Sequence, residues 1–338
     1  MRIGSTTLLV ALFGYMFSMA LATDAQPAAT PIKPTQIGVD PATGTSILKW
    51  KDGKRVAFYL AFDDACPTDL TNVIPALEEH KIVGTFYVIA GGGLFKDRPE
   101  WVKVSKSPYV VLANHTLNHK DFPTIEKFET EIIEANKLIL KSQPGKPDRL
   151  ISFGKPGGVK YGITDAQILE VLAKHNLIDR LPFWGSGIHV NGTSKVIAYV
   201  DAAIKKGELS HLDFHGVGGD WLVTPLDVFH ALLDKLDASS DLMWISDAAT
   251  VQKYLAERKA AELTVIEKTD TLIRLKLTTK TDQNQYDVPL TLATKVPASW
   301  KSVEVTQGQT HNNVTVTGEI AKYDVLPNGI EVVLTPGK

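Results

Sequence analysis

Two acidic residues, Asp63-Asp64, close one short apolar run, and two histidines four positions apart, His115 and His119, follow the end of another. Two imidazoles and one carboxylate form a three-ligand set that leaves a position on a divalent ion open for water. Adjacent residues at a strand end point in different directions, so one aspartate can bind metal while the other stays free as a base. The i, i+4 spacing puts His115 and His119 on one side of a helical turn. His211 and His215 share that spacing, and positions four apart on a strand also share a face, which makes this pair a rival metal site. Cys66 is the single cysteine, so no intrachain disulfide and no cysteine-based zinc site can form. With no histidine near it in sequence, Cys66 reads as a small buried residue rather than a nucleophile.

These residues need elements to hold them. Residues 55–62 (RVAFYLAF) are apolar on both faces, as a buried parallel strand requires. Residues 67–80 then have helical spacing, 83–90 and 109–113 read as strands, and 126–140 is a helix with Phe128, Ile132, Ala135 and Ile139 on one face. The alternation continues with strands at 150–153, 177–183, 209–214 and 242–245. Helices are expected at 164–175, capped by Thr164 with Gln167 at the reciprocal position, at 195–206, at 224–236 and on to about Lys259. About seven strand–helix units in succession predict an α/β fold, a distorted (β/α) barrel of parallel strands, because no glycine-rich dinucleotide turn follows the first strand. In such a domain the loops after the strands converge on one face. Asp63-Asp64, Asn114 to His119, Phe153 to Gly158 and Phe214-His215 all fall there.

Beyond residue 261 the pattern turns to alternating apolar and charged residues (271–277, 288–296, 302–307, 313–320), with a turn at Leu326-Pro327-Asn328-Gly329 between 323–325 and 330–334. This predicts a separate β-sandwich over 261–338, for which a packing role is favoured over sugar binding, Trp300 being its one tryptophan. At the other end, Arg2, the apolar run 8–17 and Ala20-Leu21-Ala22 read as a signal peptide over 1–22, followed by a flexible leader over 23–45. The apolar run is well short of the roughly 20 residues that cross a bilayer. No later segment could span one, so the mature chain is expected to be secreted or periplasmic. Hydrophobic residues at 44% exclude wholesale disorder, and 36 basic against 38 acidic residues exclude the basic footprint of a nucleic-acid binder.

Over residues 51–259 the sequence resembles the polysaccharide deacetylases of the NodB-homology type, carbohydrate esterase family 4. Ala61-Phe62-Asp63-Asp64 is similar to the first family motif, which implies Asp63 as general base and Asp64 as metal ligand. His115-Thr116-Leu117-Asn118-His119 matches the second at every defined position and implies a metal triad of Asp64, His115 and His119. Leu212-Asp213-Phe214-His215 resembles the late motif, which implies Leu212 beside the acetyl methyl and His215 as general acid. The third motif departs. Where the family has Arg-x-Pro-Tyr before a glycine, this chain has Gly154-Lys155-Pro156-Gly157-Gly158. Lys155 is then the available positive charge for Asp63, without the fork of a guanidinium, and an amide near Gly157 is the expected oxyanion contact. For the acid of the fourth motif, Asp179 and Asp247 are the candidates by position.

The resemblance implies metal-assisted removal of acetyl groups from an acetylated glycan, N-linked or O-linked, with zinc as the ion. Trp221 follows His215 closely and suits either stacking on a sugar ring or the core. Two other readings stand beside this one. The missing arginine suits a non-catalytic glycan-binding protein on a decayed scaffold, and the His211/His215 pair suits a different metal hydrolase. Asn114, Asn191 and Asn313 each stand in an N-x-[ST] sequon.

Overall fold

The computed structural model describes residues 39–183 and 192–337. The expected signal peptide, most of the leader and the sequon at Asn191 lie outside the described residues. No helix among the described residues is long and apolar enough to cross a membrane.

Seven strands build a parallel sheet: β2 (Val56–Asp63), β3 (Gly84–Val88), β4 (Val110–Asn114), β5 (Ile151–Phe153), β6 (Leu177–Asp179), β7 (Ser210–Phe214) and β8 (Met243–Ile245). Six of them run in the order β6-β5-β4-β3-β2-β7, and β8 pairs with β2 off that path. β2 is the pivot. Its residues 60–63 register with β3, 58–62 with β7 and 56–58 with β8. Among the described residues β6 and β7 do not pair, so the sheet curves without closing. The expected barrel is thus an open one.

Alternation along β2 and β7 separates two environments. Val56, Phe58, Leu60, Phe62, Leu212 and Phe214 face the helices and join the main core, where Phe62 stacks between Phe86 at 4.9 Å and Phe214 at 5.3 Å. Tyr59, Ala61, Asp63, His211 and Asp213 face the concave side. The helices are α1 (Ile74–His80), α2 (Gly93–Lys96), α3 (Glu100–Val104), α4 (Ile125–Ser142), α5 (Asp165–Lys174), α6 (Thr193–Lys206), α7 (Leu226–Ala238) and α8 (Ala248–Ala260). α4 buries Phe128, Ile132, Ala135 and Ile139, the face its 3.6-residue spacing predicts. The capping box of Thr164 and Gln167 opens α5. The helix expected from 67 begins differently: Asp69–Val73 forms a π turn and α1 follows it, with Pro75 in its first turn.

A second, antiparallel sheet comprises β1 (Thr45–Ile47), β9 (Glu262–Lys268), β10 (Ile273–Thr278), β11 (Leu290–Lys295), β12 (Ser302–Gln307), β13 (Thr310–Thr317), β14 (Ile320–Val325) and β15 (Asn328–Pro336). Its order is β1-β11-β14-β13-β12-β15-β10-β9. β13 pairs with β12 and then with β14, turning the corner so that Leu275, Val303, Val305 and Leu334 face Leu290, Leu292 and Tyr323 across one core. β1 and β9 are not among the expected strands. The edge strand β1 comes from ahead of the parallel domain, and Val251 and Tyr254 of α8 enter the same core. Trp300 is buried there and donates to the Asp270 carbonyl at 2.9 Å, which leaves it no face for a sugar.

Candidate active site

Loops at the C-terminal ends of β2, β4, β5, β6 and β7 surround a cavity of about 450 Å³. Asp63, Asp64, His115, His119, Lys155, Gly157, Arg180, His215 and Trp221 are among its lining residues. Ten non-glycine residues among those described have positive φ, and six of them (Asp64, Ala65, Thr116, His119, Asp220, Leu222) stand in these loops. A left-handed backbone costs about 1–2 kcal/mol per residue with a Cβ. Such strain concentrates where side-chain direction matters more than local stability.

Asp64 turns its carboxylate into the cavity from that strained position, its amide held by the Tyr87 carbonyl at 3.0 Å. His115 and His119 do not sit on a helical turn. Thr116 and His119 have positive φ, and the His119 amide bonds to Thr116 Oγ1 at 3.0 Å instead of continuing a helix. The tight turn still brings both rings to Asp64: His115 Nε2 lies 3.5 Å and His119 Nε2 3.9 Å from Asp64 Oδ1. One ligand atom from each of the three lies within 4.8 Å of the other two. His115 Nδ1 donates to the Gly154 carbonyl at 2.7 Å, which leaves Nε2 unprotonated and aimed inward. Burial holds the His115 imidazole below its usual pKa, in the neutral form that binds metal. Asp64 Oδ1 is buried and accepts no hydrogen bond. Ligand atoms on bonds of about 2 Å stand roughly 3–3.5 Å apart, so a small contraction would satisfy that orphaned oxygen with a divalent cation. The three residues fit such an ion.

Asp63 is differently placed. Its Oδ1 and Oδ2 each accept from the Arg180 guanidinium at 2.7 Å, a bidentate pair in which both side chains are buried. Burial opposes ionisation of this carboxyl. The Arg180 guanidinium, assisted by His115 and His215, outweighs it and holds Asp63 below the ordinary carboxylate range. Its Oδ2 faces His115 Nε2 at 3.9 Å, beside the ligand trio. Arg180 also approaches Asp213 Oδ1 at 3.3 Å and stacks over the Tyr87 ring at 4.4 Å.

Arg180 is the residue that motif reading misses. It follows β6, while the place where an arginine is expected holds Gly154 after β5. A Cβ on Gly154 would lie 2.8 Å from the Tyr87 ring and 3.1 Å from Arg180 Cζ, so the missing side chain is the space the guanidinium occupies. The only signal for it in the sequence is positional: Arg180 is another charged residue at a strand end.

His215 lies just past β7, with Nε2 3.7 Å from Asp64 Oδ2 and Phe183 packed edge-on at 5.6 Å. His211 does not join it. On a strand four residues span about 13 Å, too far for one ion, and His211 instead stacks on Tyr59 with Nδ1 2.7 Å from Asp213 Oδ2. Trp221 lines the cavity at 38% exposure, and its indole N–H donates to Asp64 Oδ2 at 2.9 Å. Its loop closes through Gly216, where a Cβ would meet the Gly219 carbonyl at 1.9 Å.

Lys155 reaches the cavity wall, but its Nζ pairs with Asp165 at 2.6 Å and lies over the Tyr161 ring, so Asp63 takes its positive charge from Arg180 instead. Leu212 is fully buried in the main core and is not on the cavity wall, because β7 alternation sends it to the helix side while His211 and Asp213 face inward. Gly157 is exposed on the wall with open space beyond its Cα. Asp179 and Asp247 are absent from this cavity: Asp247 caps α8 through the Thr250 amide, and Asp179 borders a neighbouring pocket, where burial raises its pKa to about 6. Cys66 is buried, with burial pushing its thiol pKa upward. Asn114 is buried and bonded through Nδ2 to Ile132 and Asn136, which removes that sequon from glycosylation in the folded chain.

The family described as polysaccharide deacetylase matches residues 51–177. The chain is 32% identical over 122 residues to a chitooligosaccharide deacetylase of Sinorhizobium fredii, covering 35% of this chain and 53% of that one. It is 36% identical over 115 residues to a chitooligosaccharide deacetylase of Rhizobium leguminosarum bv. trifolii, covering 33% and 49%. The chain thus spans about half the length of these relatives. Among solved structures it is similar to a family 4 carbohydrate esterase from Streptomyces lividans in complex with acetate, at 18% identity over 56% of this chain and 91% of that one, with a TM-score of 0.42.

Proposed function

We propose that this chain, whose residues 51–177 match the polysaccharide deacetylase family, removes acetyl groups from an acetylated polysaccharide or oligosaccharide by hydrolysis. Asp64, His115 and His119 would hold a divalent ion, zinc by their donor set. The ion would polarise the acetyl carbonyl and acidify the attacking water. Asp63, kept ionised by Arg180, takes a proton from that water at Oδ2, the oxygen facing the ligand trio. As the carbon–nitrogen or carbon–oxygen bond breaks, His215 Nε2 delivers a proton to the departing amine or alkoxide. Acetate and the free sugar group result, and the proton on Asp63 returns to His215 through solvent. An amide near Gly157, on the cavity wall, is the oxyanion donor.

One observation carries the reading: an ionised, forked carboxylate stands beside a separate set of one carboxylate and two imidazoles, so base and ligand roles fall on adjacent residues. The glycan-binding alternative rested on the missing arginine, and the Arg180 fork removes that ground. The test is Asp63→Asn. Acetate release from N-acetylated and O-acetylated oligosaccharides should fall by about 10²–10⁴ while zinc content stays near one per chain. Release at the wild-type rate would overturn the assignment of the base. An Asp64→Ala, His115→Ala double variant should lose the ion.

A further inference from the structure

We propose that the groove leaving the site over Gly157 and Gly158 binds an anionic stretch of glycan, so that the substrate is an acetylated polysaccharide with a repeating negative charge. This rests on the reading of the chain as a glycan deacetylase. The groove is open and measures about 1150 Å³, beyond the roughly 300–1000 Å³ of pockets for one small molecule. It shares His119, Gly157 and Gly158 with the catalytic cavity, so a chain lying in it would continue into the site. Cβ atoms at both glycines would meet nothing within 4 Å, and the ridge between the two spaces is bare backbone.

Its charge is one-sided. Lys120, Lys127 and Lys160 line it, all exposed, and none makes an ion pair with a described residue. Asp121 is the one carboxylate on the wall, and its Oδ1 is taken by the Lys160 amide at 2.9 Å. Nearby Glu131 is engaged by the Asn118 amide and side chain, both at 2.7 Å. Three lysines against one acid stand out in a chain whose formal net charge is −2. A neutral chitin-like oligomer would gain no charge pairing from them. Carboxylates or sulfates spaced along a polymer would meet them one after another. An ammonium is a compact point charge, so the groove reads charge without requiring the planar geometry that arginine selects.

The experiment measures binding to the full chain at several salt concentrations, with hexagalacturonate, a sulfated carrageenan hexamer and N-acetylchitohexaose as probes. At least one anionic probe should bind more tightly than the neutral one, and that advantage should shrink as salt rises. Comparing the two anionic probes identifies carboxylate or sulfate. The triple variant Lys120→Gln, Lys127→Gln, Lys160→Gln should weaken anionic binding about 10- to 100-fold, at roughly two- to fivefold per lysine, and leave chitohexaose unchanged. Equal binding of all three probes, or no effect of the triple variant, overturns the proposal. Acetate release from neutral acetylated oligosaccharides and from O-acetylated oligogalacturonate is assayed alongside. If acetate appears without a charge preference, the groove proposal falls and the deacetylase reading stands. A charge preference with no acetate from any acetylated probe leaves an anion-binding groove and overturns the deacetylase reading.

Discussion

Arg180 grips Asp63 with both arms of its guanidinium at 2.7 Å, across 117 residues of chain and two different strand ends. The contact decides the ionisation of Asp63, the proposed base. In its absence burial would raise the Asp63 pKa, and with it the carboxyl stays below the usual carboxylate range. An aspartate with a depressed folded-state pKa contributes stability above its unfolded value near 4, and loses it as pH falls through the folded value. Activity should follow the same ionisation. In the wild type the acid limb of kcat/KM should fall below the ordinary carboxylate range. In Arg180→Lys, which keeps the charge and loses the fork, kcat should drop about 10²-fold and the limb should move towards neutral pH. A lowered rate with an unmoved limb would mean that Arg180 only supports the fold.

Gly154 and Arg180 should behave as one unit. Gly154→Ala puts a methyl 3.1 Å from Arg180 Cζ and 2.8 Å from the Tyr87 ring, so the guanidinium must shift. We expect at least a tenfold loss of kcat from Gly154→Ala alone. Added to Arg180→Lys, the same change should cost little more, because the fork is already lost. Independent, multiplying effects in this double-mutant cycle would separate the two positions.

The same pair marks the limit of what the sequence makes legible. Strand ends can be read from apolar runs followed by polar clusters, and this places Asp63, Asp64, His115, His119 and His215 on one rim. The buried face of α4 and the capping box of α5 are equally visible, since both depend on local spacing. Arg180 is hidden because its partner lies on β2, and which strands neighbour each other is settled by packing over long separations. Leu212 misleads for the opposite reason. It has the residue type a methyl pocket wants, but β7 alternation turns it to the helices. The strand β1 is illegible because its partner, β11, lies at the far end of the chain, and only packing over that separation recruits it.

Trp221 links the outer surface to the proposed ligand set. Its N–H holds Asp64 Oδ2 at 2.9 Å and so orients Oδ1 towards the two histidines. Trp221→Phe keeps an aromatic ring and removes this bond. Zinc affinity, measured by competition with a chromophoric chelator, should weaken by about 10–100-fold, the usual effect of losing a partner that orients a ligand. Thermal stability without metal should change little. A KM rise with unchanged zinc affinity would make Trp221 a sugar platform only.

Far from the site, Glu257 on α8 sets the pH response of the junction with the antiparallel sheet. It is fully buried, and Oε2 accepts from the Val288 amide at 3.2 Å while Oε1 has no partner. Burial raises its pKa to about 7, so the folded chain holds a proton there that the unfolded chain releases near 4.5. Between those values the native state binds more protons than the unfolded one, and stability falls as pH rises. Glu257→Gln keeps an acceptor for Val288 and cannot ionise. Its Tm should match the wild type near pH 5 and exceed it by a few degrees at pH 8. Equal Tm values at pH 8 would place the Glu257 carboxylate in contact with water.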